Sequence, residues 1–108
     1  MGGHMPKFIF AYHGGSTPET PEEGAKVMAA WTAWFQEMGA GVVDGGNPVL
    51  QSKTVTKDAV IDDGGANPLS GYTIVTADGY DAACAMAKGC PMVADGSGSV
   101  EVCEIHEM

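Results

Sequence analysis

From Lys7 to Tyr12 the chain reads "KFIFAY", with apolar side chains falling on both faces of an extended segment. That pattern predicts an inner strand covered on two sides. A loop, Gly14-Gly-Ser-Thr-Pro-Glu-Thr20, separates it from a strong helix start. Thr20 can cap, Pro21 suits the first helical position, and Glu23 stands where a carboxylate meets free amide donors. Val27, Met28, Trp31, Trp34, Phe35 and Met38 then recur every three or four residues as one wide apolar stripe, which Gly39 closes.

The next segment, Gly41-Val-Val-Asp44, predicts a short strand running into the turn cluster Asp44-Gly-Gly-Asn-Pro48. Thr54 to Thr56 and Ala59 to Ile61 flank Lys57-Asp58 and suit a hairpin. After the loop Asp62-Asp-Gly-Gly-Ala-Asn-Pro68, the β-branched and aromatic run "GYTIVT" from Gly71 predicts another strand. Asp78 can cap a second helix with the face Tyr80, Ala83, Cys84 and Ala87, stopped by Gly89 and Pro91. "SVEVCEI", from Ser99 to Ile105, closes the order as a strand with Val100 and Val102 on one face and Glu101, Cys103 and Ile105 on the other.

This order predicts an α+β chain: a ferredoxin-like βαββαβ sandwich with an extra hairpin, its two helices on one face of an antiparallel sheet. The other face would expose apolar side chains in a monomer. Pairing two sheets face to face buries them, so a homodimer forming a dimeric α/β barrel is expected.

Length fits a single domain, taken as residues 6–108. Met1-Gly-Gly-His-Met5 reads as a cloning remnant, so residues 1–5, and His4 with them, stand outside the site reasoning. Lys plus Arg number 5 against 14 Asp plus Glu, a formal charge of −9 with the few lysines scattered. Nucleic acid and anionic membrane are therefore poor partners. No run approaches the roughly 20 apolar residues of a spanning helix. Three cysteines, Cys84, Cys90 and Cys103, with no secretory pattern ahead of them, suit a reducing cytoplasm.

Taken in order, "VVDGGNP", "GGANPLSGYTIVTADGYDAACAMAKGCP" and "GSVEVCEI" resemble the YCII-related, DGPF-type family of small dimeric α/β-barrel proteins. The resemblance runs from Lys7 to Ile105. It implies the ferredoxin-like fold, dimerisation and a pocket between sheet and helices, in a family whose members mostly lack an assigned reaction. Two departures stand out. The naming motif is here Asp63-Gly64-Gly65-Ala66, without its aromatic. The helical His that faces an Asp in some relatives is also missing, for the helix reads Ala30-Trp-Thr-Ala-Trp-Phe35. Asp44 would then lack that partner.

Among candidate groups, His13 lies just beyond a strand and beside Gly14-Gly15, with the side chain best suited to proton transfer near neutral pH. Asp44 is the carboxylate expected to orient it, with turn chemistry as its competing role. Trp31 and Trp34 are expected to wall a ligand pocket, with Asn47 and Tyr72 as polar tips; plain core is the alternative for the tryptophans. A metal is disfavoured, because Cys103 and His106 are three apart on a strand and Cys84 and Cys90 lack zinc-site spacing. No organic cofactor is expected, since no glycine pair belongs to a phosphate loop. Cys90 is the cysteine expected to be exposed. Two readings follow: a module binding a small apolar or aromatic metabolite, or a cofactor-independent isomerase, lyase or dehalogenase using His13 as acid or base.

Overall fold

The computed structural model describes residues 5–108, so the expected cloning remnant lies outside the described residues except for Met5. Six strands and three helices follow one another: β1 Lys7–Gly14, α1 Pro21–Met38, β2 Val42–Asp44, β3 Thr54–Val55, β4 Val60–Ile61, β5 Leu69–Thr76, α2 Tyr80–Ala87, α3 Pro91–Ala94 and β6 Gly98–Glu104. β2, β5, β1 and β6 form, in that spatial order, a four-stranded antiparallel sheet; β3 and β4 pair separately as a small hairpin. This is the ferredoxin-like order, with β1 between β5 and β6 and β2 at the edge beside β5.

Alternation along β1 decides where the core lies. Phe8, Phe10 and Tyr12 point to the helices and are buried, and their partners Val75, Thr73 and Val102 follow the same parity. Phe10 stacks against Trp34 at 6.2 Å, and Phe8 meets Tyr80 edge-on at 5.0 Å. Each such aromatic, fully buried, contributes on the order of 1.5–3 kcal/mol. Ala83 and Ala87 bring α2 close, while Met92 of α3 completes the cluster. Ile9, Ala11, Tyr72, Ile74 and Cys103 belong to the opposite face and take no part in this core.

Local signals explain the helix ends. Thr20 Oγ1 accepts from the Glu23 backbone N–H at 3.1 Å, and Glu23 Oε2 reaches back to the Glu19 N–H at 3.0 Å. Such a cap is worth about 1 kcal/mol. Gly39 ends α1 at a positive φ of 54°, and its N–H returns to the Phe35 carbonyl. Asp78, in contrast, does not cap α2. The helix begins one residue later than that role requires, with Gly79 at its N-cap and no side-chain bond.

Two expectations about cysteine are corrected. Cys90 is fully buried and Cys84 is the exposed one. The reason is α3, a short helix not expected from sequence: the Val93 and Ala94 N–H groups both return to the Cys90 carbonyl, turning residue 90 under the new helix. On α2, Ala83 and Ala87 take the inward direction, which leaves Cys84 turned outward. Met28 likewise sits at the outer edge of the α1 stripe and is exposed. No described helix is long and apolar enough to cross a membrane.

Candidate functional site

A cavity of about 800 Å³ opens between α1 and the sheet. Tyr12 and Thr73 form its sheet wall, Trp31 and Phe35 its helix wall, and the Gly45–Pro48 turn with Ser97 its ends. Tyr12 and Trp31 meet edge to face at 5.3 Å, which fixes the corner where the two walls join. Lys26 and Asp95 are the charged residues on the lining.

The sheet wall carries a short chain of hydroxyls. Tyr12 Oη donates to Thr73 Oγ1 at 2.6 Å, and Thr73 Oγ1 donates to the Gly45 carbonyl at 2.9 Å. Burial pushes the Tyr12 phenol well above its ordinary range, opposed in part by the Thr73 bond. It is therefore a neutral hydroxyl at any ordinary pH and not a base. Ser97 adds a buried hydroxyl at one end of the cavity, close to the Asp95 carboxylate, whose pKa the Ser97 side chain and N–H hold below its ordinary value.

Backbone shape makes the turn at residues 44–48 possible. Gly46 holds a φ of 69°, and a Cβ there would collide with the Tyr72 carbonyl. Asp44 Oδ1 accepts from the Gly46 N–H at 2.8 Å, so its carboxylate holds the turn. The Asn47 carbonyl takes the Tyr72 N–H at 3.2 Å, fastening the turn to β5 and keeping Asn47 on the cavity lining.

The six residues singled out from sequence divide between different places. Trp31 and Asn47 are on the cavity lining. Trp34 does not: it is buried, and its Nε1 donates to the Met86 carbonyl at 3.0 Å. Gly89 lets it sit there, since a Cβ at that position would lie 3.0 Å from the indole. Tyr72 borders the cavity, but alternation with buried Thr73 assigns its ring to the other face of the sheet.

His13 and Asp44 are not brought together. Asp44 pairs with Ile74, which pairs in turn with Ile9, so the two residues are separated by two strand spacings and four residues, about 16 Å. Nor is His13 among the cavity-lining residues. One step along β1 from Tyr12, it faces the opposite side of the sheet, where its Nε2 lies 3.0 Å from Glu101 Oε1. Its Nδ1 faces the carbonyls of Asn67 and Pro68 at 3.0 and 3.2 Å. Carbonyls only accept, so Nδ1 carries a proton; the Glu101 carboxylate also only accepts, so its contact is a hydrogen bond when Nε2 carries one as well. Cys103 Sγ approaches the other carboxylate oxygen of Glu101 at 3.8 Å. Among the described residues, no three His, Cys, Asp or Glu side chains gather as metal ligands.

Sequence reasoning passed over Tyr12, Thr73, Ser97 and Glu101. Period-two alternation was the available signal: whatever places Phe8 and Phe10 inward places Tyr12 inward too and turns His13 outward.

No protein-family model and no curated protein matches the chain. Among solved structures, it is similar to 5-chloro-2-hydroxyhydroquinone dehydrochlorinase from Burkholderia phenoliruptrix, in complex with 2,5-dihydroxybenzoquinone. The TM-score is 0.58, the identity 18%, and the match covers 96% of each chain. The fold is shared along nearly the whole length of both.

Proposed function

We propose that the protein binds a small aromatic or apolar metabolite in the cavity between α1 and the sheet, as a YCII-related domain. The observation that carries this reading is the cavity itself: about 800 Å³, walled by Tyr12, Trp31 and Phe35, with a few polar tips around an apolar body. That composition is what small-molecule sites share. The likeness to a dehydrochlorinase bound to 2,5-dihydroxybenzoquinone supports a YCII-related fold and a ligand of similar size. The test is a thermal-shift screen of hydroxylated benzenes, read alongside Trp fluorescence. A stabilising ligand whose effect disappears in Trp31→Ala supports the reading; a panel that moves neither signal ends it.

A second reading is favoured by one observation, the His13–Glu101 pair. A histidine with one nitrogen fixed by carbonyls and the other against a carboxylate is equipped to hold and release a proton at Nε2. A cofactor-independent isomerase, lyase or dehalogenase would use it on the sheet face away from the cavity. Homodimerisation through that face would enclose it. Support for the dimer comes from Ile9, Ala11 and Ile74, apolar side chains only half-covered there. Light scattering at micromolar concentration should give twice the chain mass, and a monomer would remove the enclosed site.

A further inference from the structure

The hydroxyl chain on the cavity wall has a direction. The Gly45 carbonyl can only accept, so the Thr73 hydroxyl must spend its one proton there. Thr73 Oγ1 is then an acceptor toward Tyr12, and the Tyr12 proton is committed to it at 2.6 Å. What Tyr12 Oη has left to offer is lone-pair density alone. A ligand that reaches this oxygen must bring a proton of its own.

We infer that the cavity discriminates by hydrogen-bond polarity, accepting an aromatic hydroxyl against Tyr12 and rejecting the same ring when that oxygen carries no hydrogen. Thr73 is a positioning residue in this scheme, since it acts by setting the sense of the Tyr12 hydroxyl. The inference rests on the cavity being the binding site, and it adds the chemical class: phenols rather than aryl ethers or quinones. The physical reason is asymmetry. A phenol completes the valence of Tyr12 Oη, whereas an ether or carbonyl oxygen there sets lone pair against lone pair and leaves a buried acceptor unpaired. Trp31 stands edge-on to Tyr12 and confines a ring to the same corner.

The experiment compares 4-methylphenol with its methyl ether by calorimetric titration into the full chain, and repeats the pair in Thr73→Val and Tyr12→Phe. Wild type should favour the phenol by at least about tenfold, the range expected when a site's polar group is left unpaired by the wrong ligand. In Thr73→Val the Tyr12 proton is freed to serve the ether oxygen, so the preference should shrink at least about fivefold. Tyr12→Phe should also shrink it, by removing the acceptor. The extra methyl group of the ether is common to all three proteins and cancels in the comparison. Equal affinity in wild type, or an unchanged preference in both variants, overturns the inference while leaving the cavity as a binding site. Should neither compound bind wild type at all, the cavity reading itself falls and takes this one with it. The wild-type comparison stands even if a buried substitution at residue 73 prevents folding.

Discussion

His13 Nε2 and Glu101 Oε1 face each other at 3.0 Å across neighbouring strands, on the side of the sheet turned away from the helix-packed core. The imidazole is mostly covered, 12% exposed, while the carboxylate is 62% exposed. Solvent therefore screens the pair from one end. Glu101→Gln should cost less than about 1 kcal/mol in a denaturant titration, as exposed ion pairs do. Imidazole nitrogen NMR should find Nδ1 protonated in wild type and in Glu101→Gln alike, because the Asn67 and Pro68 carbonyls fix that side. A ring with Nδ1 unprotonated would refute the assignment.

The two tryptophans should separate cleanly on mutation. Trp34 is stacked on Phe10 and bonded to the Met86 carbonyl, so Trp34→Ala should lose about 3–5 kcal/mol of stability, as large core deletions do. Trp31 lines the cavity and is only partly buried. Trp31→Ala should cost distinctly less in stability and should remove the fluorescence response to a bound aromatic. Equal losses of stability would mean that the cavity wall is as tightly packed as the core.

Thiol labelling should follow burial rather than sequence position. Cys84 is exposed, Cys103 intermediate and Cys90 fully buried. Burial also pushes the Cys90 thiol up, which lowers its thiolate fraction further. With an excess of a disulfide reagent, Cys84→Ser should remove the fast phase. Cys90 should react only at the rate of unfolding; rapid modification of Cys90 in the folded chain would contradict its place beneath α3.

Alkaline pH should destabilise the fold through two buried groups. Cys90 and Tyr12 are both raised by burial above their ordinary values of 9.0 and 10.0. The folded chain thus retains protons that the unfolded chain gives up. Their contribution is complete below about pH 9 and is lost as pH climbs toward the folded-state values. Thermal midpoints should fall above about pH 9, and Tyr12→Phe should flatten the part of the fall above about pH 10. A Tyr12→Phe curve parallel to wild type throughout that range would show that the phenol does not contribute.

Much of the fold is legible in short patterns. Thr20-Pro21 with Glu23 starts α1 where expected, "GYTIVT" lies within β5, and the hairpin forms around Lys57-Asp58. Those signals are local, and local chemistry decides them. The site was less legible because its membership depends on which face a side chain takes. Trp31 and Trp34 differ by only three positions on one stripe, yet one meets open space and the other a Met86 carbonyl 52 residues away. Asp44 looked available for catalysis, but it closes its own turn, as do Asp63 toward the Gly65 N–H and Asp95 toward the Ser97 N–H. The Glu101 partner of His13 lies 88 residues along the chain, and only the pairing of β1 with β6 brings it near.

Because Tyr12 and His13 are consecutive, a single strand is the partition between two chemically different compartments. Deleting or inserting one residue between Lys7 and Tyr12 would exchange their sides, sending an imidazole into the cavity and a phenol toward Glu101. The reading frame of β1 against its neighbours thus decides which of the two side chains the cavity receives. Homologues that keep the composition of this strand but shift its frame by one should differ in what they bind.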